Sequence, residues 1–342
     1  MSKKKNIIFL TLSVLIVLIL LTFAVFKDEV KKIYEDYKIV VEVNEDRVTL
    51  REYKIRYNTL KENAIQFSSR TDILDQVFNG KTYRELLKEN LFNVLIEELL
   101  CLQEAKKRNI TLTAKEKNEL KKYIDDIKSN SETNSYFVQY LKKIGSDEKH
   151  FFEDLCKTRI VNKVYNLVTN KITVEDKEIM EYYNTNKSNF RKIKVLDIFL
   201  KVNNETENIQ KKKIADKIIL ELKNGKEFEY LLNKYLEYNA LKDKNGLIDY
   251  FRRGEKESEF GSNFENEVFK LSIGQVSDVI KTLNGYHIVK IIGEKYMSIE
   301  EVKDELRYNL LRIKKEEFFK SYLENLKKNS KIKIYNENII NL

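Results

Sequence analysis

The sequence predicts an α+β protein: a mostly helical body, interrupted by a compact strand-containing insert, behind an N-terminal transmembrane helix. Three observations predict it. An uncharged run from Asn6 to Phe26 follows a cluster of lysines. Apolar residues then recur at three- and four-residue steps through most of 82–190, and again beyond 298. Between these helical stretches, at Lys192, the period switches to two.

The first element is "NIIFLTLSVLIVLILLTFAVF". About 20 apolar residues, each rising about 1.5 Å, cross a hydrocarbon core ~30 Å thick. A cleaved signal peptide carries only ~7–15 apolar residues before a small-x-small site, and the exit "LTFAVFKDE" offers none. Lipid attachment would need a cysteine at the end of the run, yet the first is Cys101. Residues 1–29 therefore read as an uncleaved single-pass anchor in the cell membrane. Lys3, Lys4 and Lys5 stay inside and the bulk of the chain is extracytoplasmic. Lys27, Lys31 and Lys32 beyond the run reduce the charge asymmetry.

Residues 30–190 read as one helical region. A juxtamembrane helix (30–37) leads into a hairpin over 38–50 that turns at Asn44-Glu45-Asp46. A helix follows at "REYKIRYNTLKENA", and from Thr82 the residues Leu87, Leu91, Val94, Leu95, Leu99 and Leu102 form an apolar stripe. Thr113 with Glu116 makes a capping box that opens another helix. The helix "YFVQYLKKIG" stops at Gly145, and the next carries His150 near its start as a partly packed residue. "ITVEDKEIMEYYNTNKSNF" repeats the capping pattern with Thr173 and Asp176 ahead of Ile179.

Residues 191–296 read as the α+β insert: strand 192–202, helix 206–225 ended by Gly225, helix "EFEYLLNKYLEYNA", a loop with Asn245-Gly246, then a short helix and strands. From 297 to 342 a helix with Val302, Leu306, Leu310, Ile313, Phe319, Leu323 and Leu326 on one side returns to the helical region, and "KIKIYNENI" closes it as a strand.

Composition narrows the function. A chain of 342 residues exceeds what one core supports, so two or more domains are expected. The formal charge of +9 favours anionic surfaces, but lysines alternate with Glu and Asp, so no basic stripe marks a nucleic-acid partner. With 9 glycines, none in a phosphate-cradling pattern, nucleotide binding is not expected. Cys101 and Cys156 lie inside helical patterns and read as free thiols, a single disulfide staying open. Two Cys and two His at scattered positions leave no metal-ligand spacing, and no cofactor is expected.

One of those histidines, His287, sits inside the alternating run "LNGYHIVKI". An isolated histidine in a strand is more often a satisfied core residue than a functional one. Its neighbours decide otherwise. "NGKEFEYLLNKY" (224–235), "FRRGE" (251–255), "FENEVFKLSIGQVSDVIKT" (264–282) and "GYHIVKI" (285–291) occur in an order and spacing that resembles the parvulin family of peptidyl-prolyl cis–trans isomerases. Outside the insert, "VEVNEDRVTLREY", "NVLIEELLCLQEAKKRNITLTAKE" and "SIEEVKDELRYNLLRIKKEEFFKSYLENLKKNSKIKIY" are similar to the chaperone regions of PrsA-, SurA- and PpiD-type foldases.

The resemblance implies an inserted parvulin domain (an FKBP-like α+β fold) within a chaperone region, acting on unfolded or newly secreted polypeptides, with a homodimer left open. It implies a proline pocket, open to solvent, at Phe260 and Phe264 with Tyr250 and Phe251 nearby. His287 matches the second of two family histidines. The first aligns with Asp197, and the family's central Asp or Cys with Tyr238, or with Glu237 if the loop shifts by one. "NGLID" (245–249) replaces the family's glycine-rich turn. The expected function is a membrane-anchored foldase that isomerises X-Pro bonds with His287, Asp197 and Tyr238 at its site. The alternative expectation is a holdase whose parvulin domain binds without catalysing.

Overall fold

The computed structural model describes residues 31, 34–236 and 244–339. The expected anchor and Tyr238 lie outside them, and no helix of the described residues is long and apolar enough to cross a membrane. Two compact units emerge, Met1–Ile172 with Lys314–Leu342, and Thr173–Ile313. The second takes in 173–190 and 297–313 as well as the 191–296 insert.

The first unit opens with the expected hairpin, β1 (Ile39–Val43) and β2 (Asp46–Thr49). Asn44 holds the turn at φ +58°, a left-handed conformation that asparagine tolerates better than most residues. Helix α1 (Leu50–Ser68) starts on a full capping box, Thr49 with Glu52. After the two-residue strands β3 (Val77–Phe78) and β4 (Lys81–Thr82), α2 (Tyr83–Lys107) starts on another, Thr82 with Glu85. Such caps contribute about 1 kcal/mol each by satisfying N–H groups that the first turn leaves without partners.

Leu87, Leu91 and Leu95 of α2 are buried as their spacing predicts, but Val94 is 41% exposed. Ile96, Leu100 and Cys101 complete the inner face instead, because α2 is covered on two sides. The box at Thr113 and Glu116 opens α3 (Ala114–Ser129). Next come α4 (Ser131–Ile144), closed by Gly145 at φ +76°, and α5 (Glu148–Thr169). Val41, Tyr53, Leu91 and Leu95 centre one core cluster, and Ile124, Phe137 and Leu141 another.

In the second unit, α6 (Asp176–Thr185) is capped by Glu175 with Glu178 rather than by Thr173. A carboxylate at the N-cap answers the same N–H groups that a hydroxyl would. Strand β5 (Arg191–Lys201) follows, then α7 (Glu205–Lys223), α8 (Phe228–Tyr235), β6 (Leu247–Arg252), α9 (Glu257–Phe260), α10 (Ser262–Val268), β7 (Ile280–Lys281) and β8 (Gly285–Tyr296). The strands form an antiparallel sheet in the order β6-β5-β8-β7.

The long helix α11 (Ile299–Lys328) begins on a Ser298–Glu301 capping box, with Val302 and Leu306 packed against Ile179 and Phe190. Ile313, expected on the same stripe, is 39% exposed. Past α11, β9 (Ile332–Ile334) returns to the first unit and pairs with β1, so that sheet runs β2-β1-β9.

Candidate functional site

Side chains alternate along a strand, and cross-strand partners share a face. The register Phe199↔His287 and Asp197↔Val289 therefore puts Asp197, Phe199, His287 and Val289 on one face of the sheet. The opposite face lies under α7 and α8, where the Tyr286 hydroxyl meets Asn208 Oδ1 at 2.6 Å and Lys290 Nζ meets Glu229 at 2.7 Å. Helices α9 and α10 cover the first face with Phe260 and Phe264.

These residues enclose the imidazole of His287. Its Nδ1 lies 2.8 Å from Asp197 Oδ2, and its Nε2 lies 3.4 Å from the Thr282 hydroxyl. Phe199 stacks on it at 4.1 Å, within 4° of parallel. Phe264 and Phe260 approach edge-on at 4.9 and 5.3 Å, and their own centroids are 4.8 Å apart. The other oxygen of Asp197, Oδ1, is buried with no hydrogen-bond partner among the described residues. Such an atom is costly to bury.

The expected proline slot was to open to solvent. Its residues meet, but they are closed over: Phe264, His287 and Asp197 are 0% exposed and Phe260 4%. The Phe260 ring fills the space against Phe264 and the imidazole. Of the other expected residues, Phe251 is buried and packs edge-on against Phe269 at 5.6 Å. Tyr250 is engaged elsewhere, its ring 4.4 Å from Lys295 Nζ and its hydroxyl over Gly293, where a Cβ would meet it at 2.7 Å.

Sequence reasoning missed several participants. Phe199 could have been found, since it lies two residues past Asp197 and so shares its face. Thr282 carries no such signal, because it reaches His287 through the turn before β8. Glu265 gave none either. Its carboxylate is buried and accepts the backbone N–H groups of Gly254 and, at 2.6 Å, Lys256. It thereby folds the turn leading into α9 around the start of α10, fixing Phe260 against Phe264. His150, the other histidine, is bound to its helix cap: Nδ1 lies 2.7 Å from Asp147.

Neither Cys101 nor Cys156 is in a disulfide. Among the described residues, no group of His, Cys, Asp and Glu could hold a metal ion. The aromatic site is an apolar enclosure around one oriented imidazole.

Comparison with known proteins bears on both units. A family described as the PPIC-type peptidyl-prolyl isomerase domain matches residues 178–295, and one described as the SurA-like N-terminal domain matches 1–165. The foldase protein PrsA of Caldanaerobacter subterraneus subsp. tengcongensis is 30% identical over 302 residues, covering 88% of each chain. That of Clostridium botulinum strain Okra is 28% identical, over 76% of this chain and 77% of its own. A crystal structure of the peptidylprolyl isomerase PrsA from Bacillus cereus aligns over 89% of this chain and 96% of its own, at 20% identity and a TM-score of 0.35.

Proposed function

The chain belongs to the PrsA foldases and carries a PPIC-type peptidyl-prolyl isomerase domain, and from that premise we propose that it is a membrane-anchored, extracytoplasmic foldase that isomerises X-Pro bonds in unfolded client polypeptides. The observation that carries the reading is the pair Phe260 and Phe264 set around an imidazole held at Nδ1 by Asp197. Rotation about a peptide C–N bond meets a barrier of roughly 18–20 kcal/mol because twisting removes resonance. X-Pro bonds isomerise slowly enough to limit folding. A catalyst of this step needs no bond-making group. It needs a dry apolar slot for the proline ring, and polar groups matched to the twisted amide.

On this reading the proline ring displaces Phe260 from its place against Phe264, and the slot forms as substrate enters. Asp197 fixes Nδ1 of His287, so the imidazole keeps one orientation during the twist. The membrane part of the proposal rests on the apolar run 6–26 behind Lys3, Lys4 and Lys5. Retention of the full chain in the membrane pellet after alkaline carbonate tests that part.

Catalysis is tested by cis–trans exchange of a short Ala-Pro peptide, followed by NMR with the full chain. Acceleration that falls about tenfold or more in Phe264→Ala and His287→Ala, the scale of lost positioning contacts, supports the reading. No acceleration by the native chain removes it.

A second reading is favoured by one observation: the aromatic cluster is shut, with Asp197 where a histidine is expected. In that reading the domain binds clients without turning them over. Undiminished suppression of aggregation of a proline-free client by His287→Ala, with no isomerisation by the native chain, would establish it.

A further inference from the structure

A second surface of the isomerase unit lies along the outer edge of its sheet. β6 pairs with β5 on one side, and among the described residues no strand pairs with its other side. A groove of about 660 Å³ runs there, and its wall includes every residue from Leu247 to Phe251. Side chains of consecutive strand residues point to opposite faces, so five in a row can share one groove only along the backbone edge. The far wall is Glu255, Lys256 and Glu259. Lys256 and Glu259 flank Phe260, and Lys256 Nζ sits 6.0 Å from the centre of that ring. The groove therefore runs up to α9, the helix that carries Phe260.

The edge is also guarded. Between Ile193 and Val195 the pairing gains a residue on β6, a bulge that places Asp249 and Tyr250 out of register. The nearby Tyr250 backbone N–H and the Lys194 ammonium, 3.2 Å away, hold the Asp249 carboxyl below the usual carboxylate range. The Glu255 carboxylate accepts the N–H of Arg252 at 3.0 Å. Bulges and charged side chains are how proteins keep open edges from pairing indiscriminately. Both carboxylates are on exposed residues, so an incoming carbonyl can replace Glu255 at the Arg252 N–H at small cost.

We propose that the open edge of β6 docks an extended stretch of client polypeptide as an added strand, leading its proline toward Phe260 and Phe264. This rests on the foldase reading above and deepens it, because backbone pairing recognises unfolded chain of any sequence. The bulge limits the added strand to a few residues, which keeps the hold weak and reversible.

The test uses the full chain and three fluorescent ten-residue peptides with a central Ala-Pro. One is unmodified, and the others carry backbone N-methyl groups at alternate positions, on the odd residues or on the even ones. Strand pairing predicts that one methylated set binds about three- to tenfold more weakly per blocked N–H while the other matches the unmodified peptide. Glu255→Ala, which frees the Arg252 N–H, is expected to bind the unmodified peptide more tightly. Equal binding of all three peptides, or equal weakening by both methylated sets, overturns the proposal. Binding anisotropy reads this whether or not any peptide is isomerised, so loss of the edge and loss of catalysis are separately visible.

Discussion

The Phe199 ring lies 4.1 Å from the His287 imidazole and nearly parallel to it, sealing one flat side of a ring whose nitrogens face Asp197 and Thr282. The Thr282 hydroxyl beside Nε2 donates to the Gly285 carbonyl at 3.3 Å, and with Asp197 as the accepting carboxylate Nδ1 carries the ring proton. That proton has no route to solvent in the closed site. It should appear in NMR spectra as a slowly exchanging downfield resonance, readily assigned because the chain has two histidines. Rapid exchange of that proton would mean the enclosure is open in solution.

Breaking the buried pair from one side should cost more than removing it altogether. Asp197→Ala leaves a buried imidazole N–H without its acceptor and should lower the stability of the second unit by roughly 1–3 kcal/mol. The double variant Asp197→Leu with His287→Phe should recover most of that. Urea unfolding of the single and double variants gives the comparison, and additive losses would show that the two residues do not act as a pair.

Phe264 has no exposed surface and touches both Phe260 and His287. Phe264→Ala should cost about 3–5 kcal/mol through the cavity it leaves. Phe264→Leu keeps most of the volume and should fold nearly as well while raising KM for a proline peptide. An unchanged KM in the leucine variant would place the ring outside the slot.

Acid should loosen the first unit through Glu116. The Thr113 backbone N–H, then the Lys163 ammonium 2.9 Å away and the Thr113 hydroxyl, lower its carboxyl from the ordinary 4.5 to about 2. A carboxyl held low in the fold stabilises it above pH 4.5, and that contribution is lost as pH falls toward 2. Thermal unfolding from pH 6 down to about 2 should show a shallower decline in Glu116→Gln than in the native chain. Parallel curves would leave the box without electrostatic weight.

The thiols should behave unequally. Burial pushes the Cys101 thiol up to about 12, and Cys156 is raised less while lying partly exposed. A thiol-specific reagent at neutral pH should modify Cys156 slowly and Cys101 only on unfolding. Prompt reaction of both would contradict the packing of α2.

Much of this was legible in the sequence because the signals were local. Capping pairs such as Thr113 with Glu116 and turn residues such as Asn44 and Gly145 act within a few residues, and the structure keeps them. The switch to period two at Lys192 located β5, and block spacing located His287 and Phe264. What was not legible depends on distant packing. Val94 and Ile313 fit their stripes by spacing yet face solvent, since helix period does not say how wide the covered face is. Thr173 lost its cap position to Glu175, which serves the same N–H groups two residues closer to the helix. The closed state of the slot depends on how Glu265 folds the 254–256 turn, a long-range consequence that no short motif announces.

The pairing of β1 with β9 joins residues 41–43 to 332–334. A chain delivered N-terminus first must expose the β1–β2 hairpin, with one edge uncovered, until residues 332–334 have emerged. Residues 173–313 meet no such delay, since their sheet closes within their own span. Residues 173–313 can therefore complete their sheet while the first unit still waits for β9.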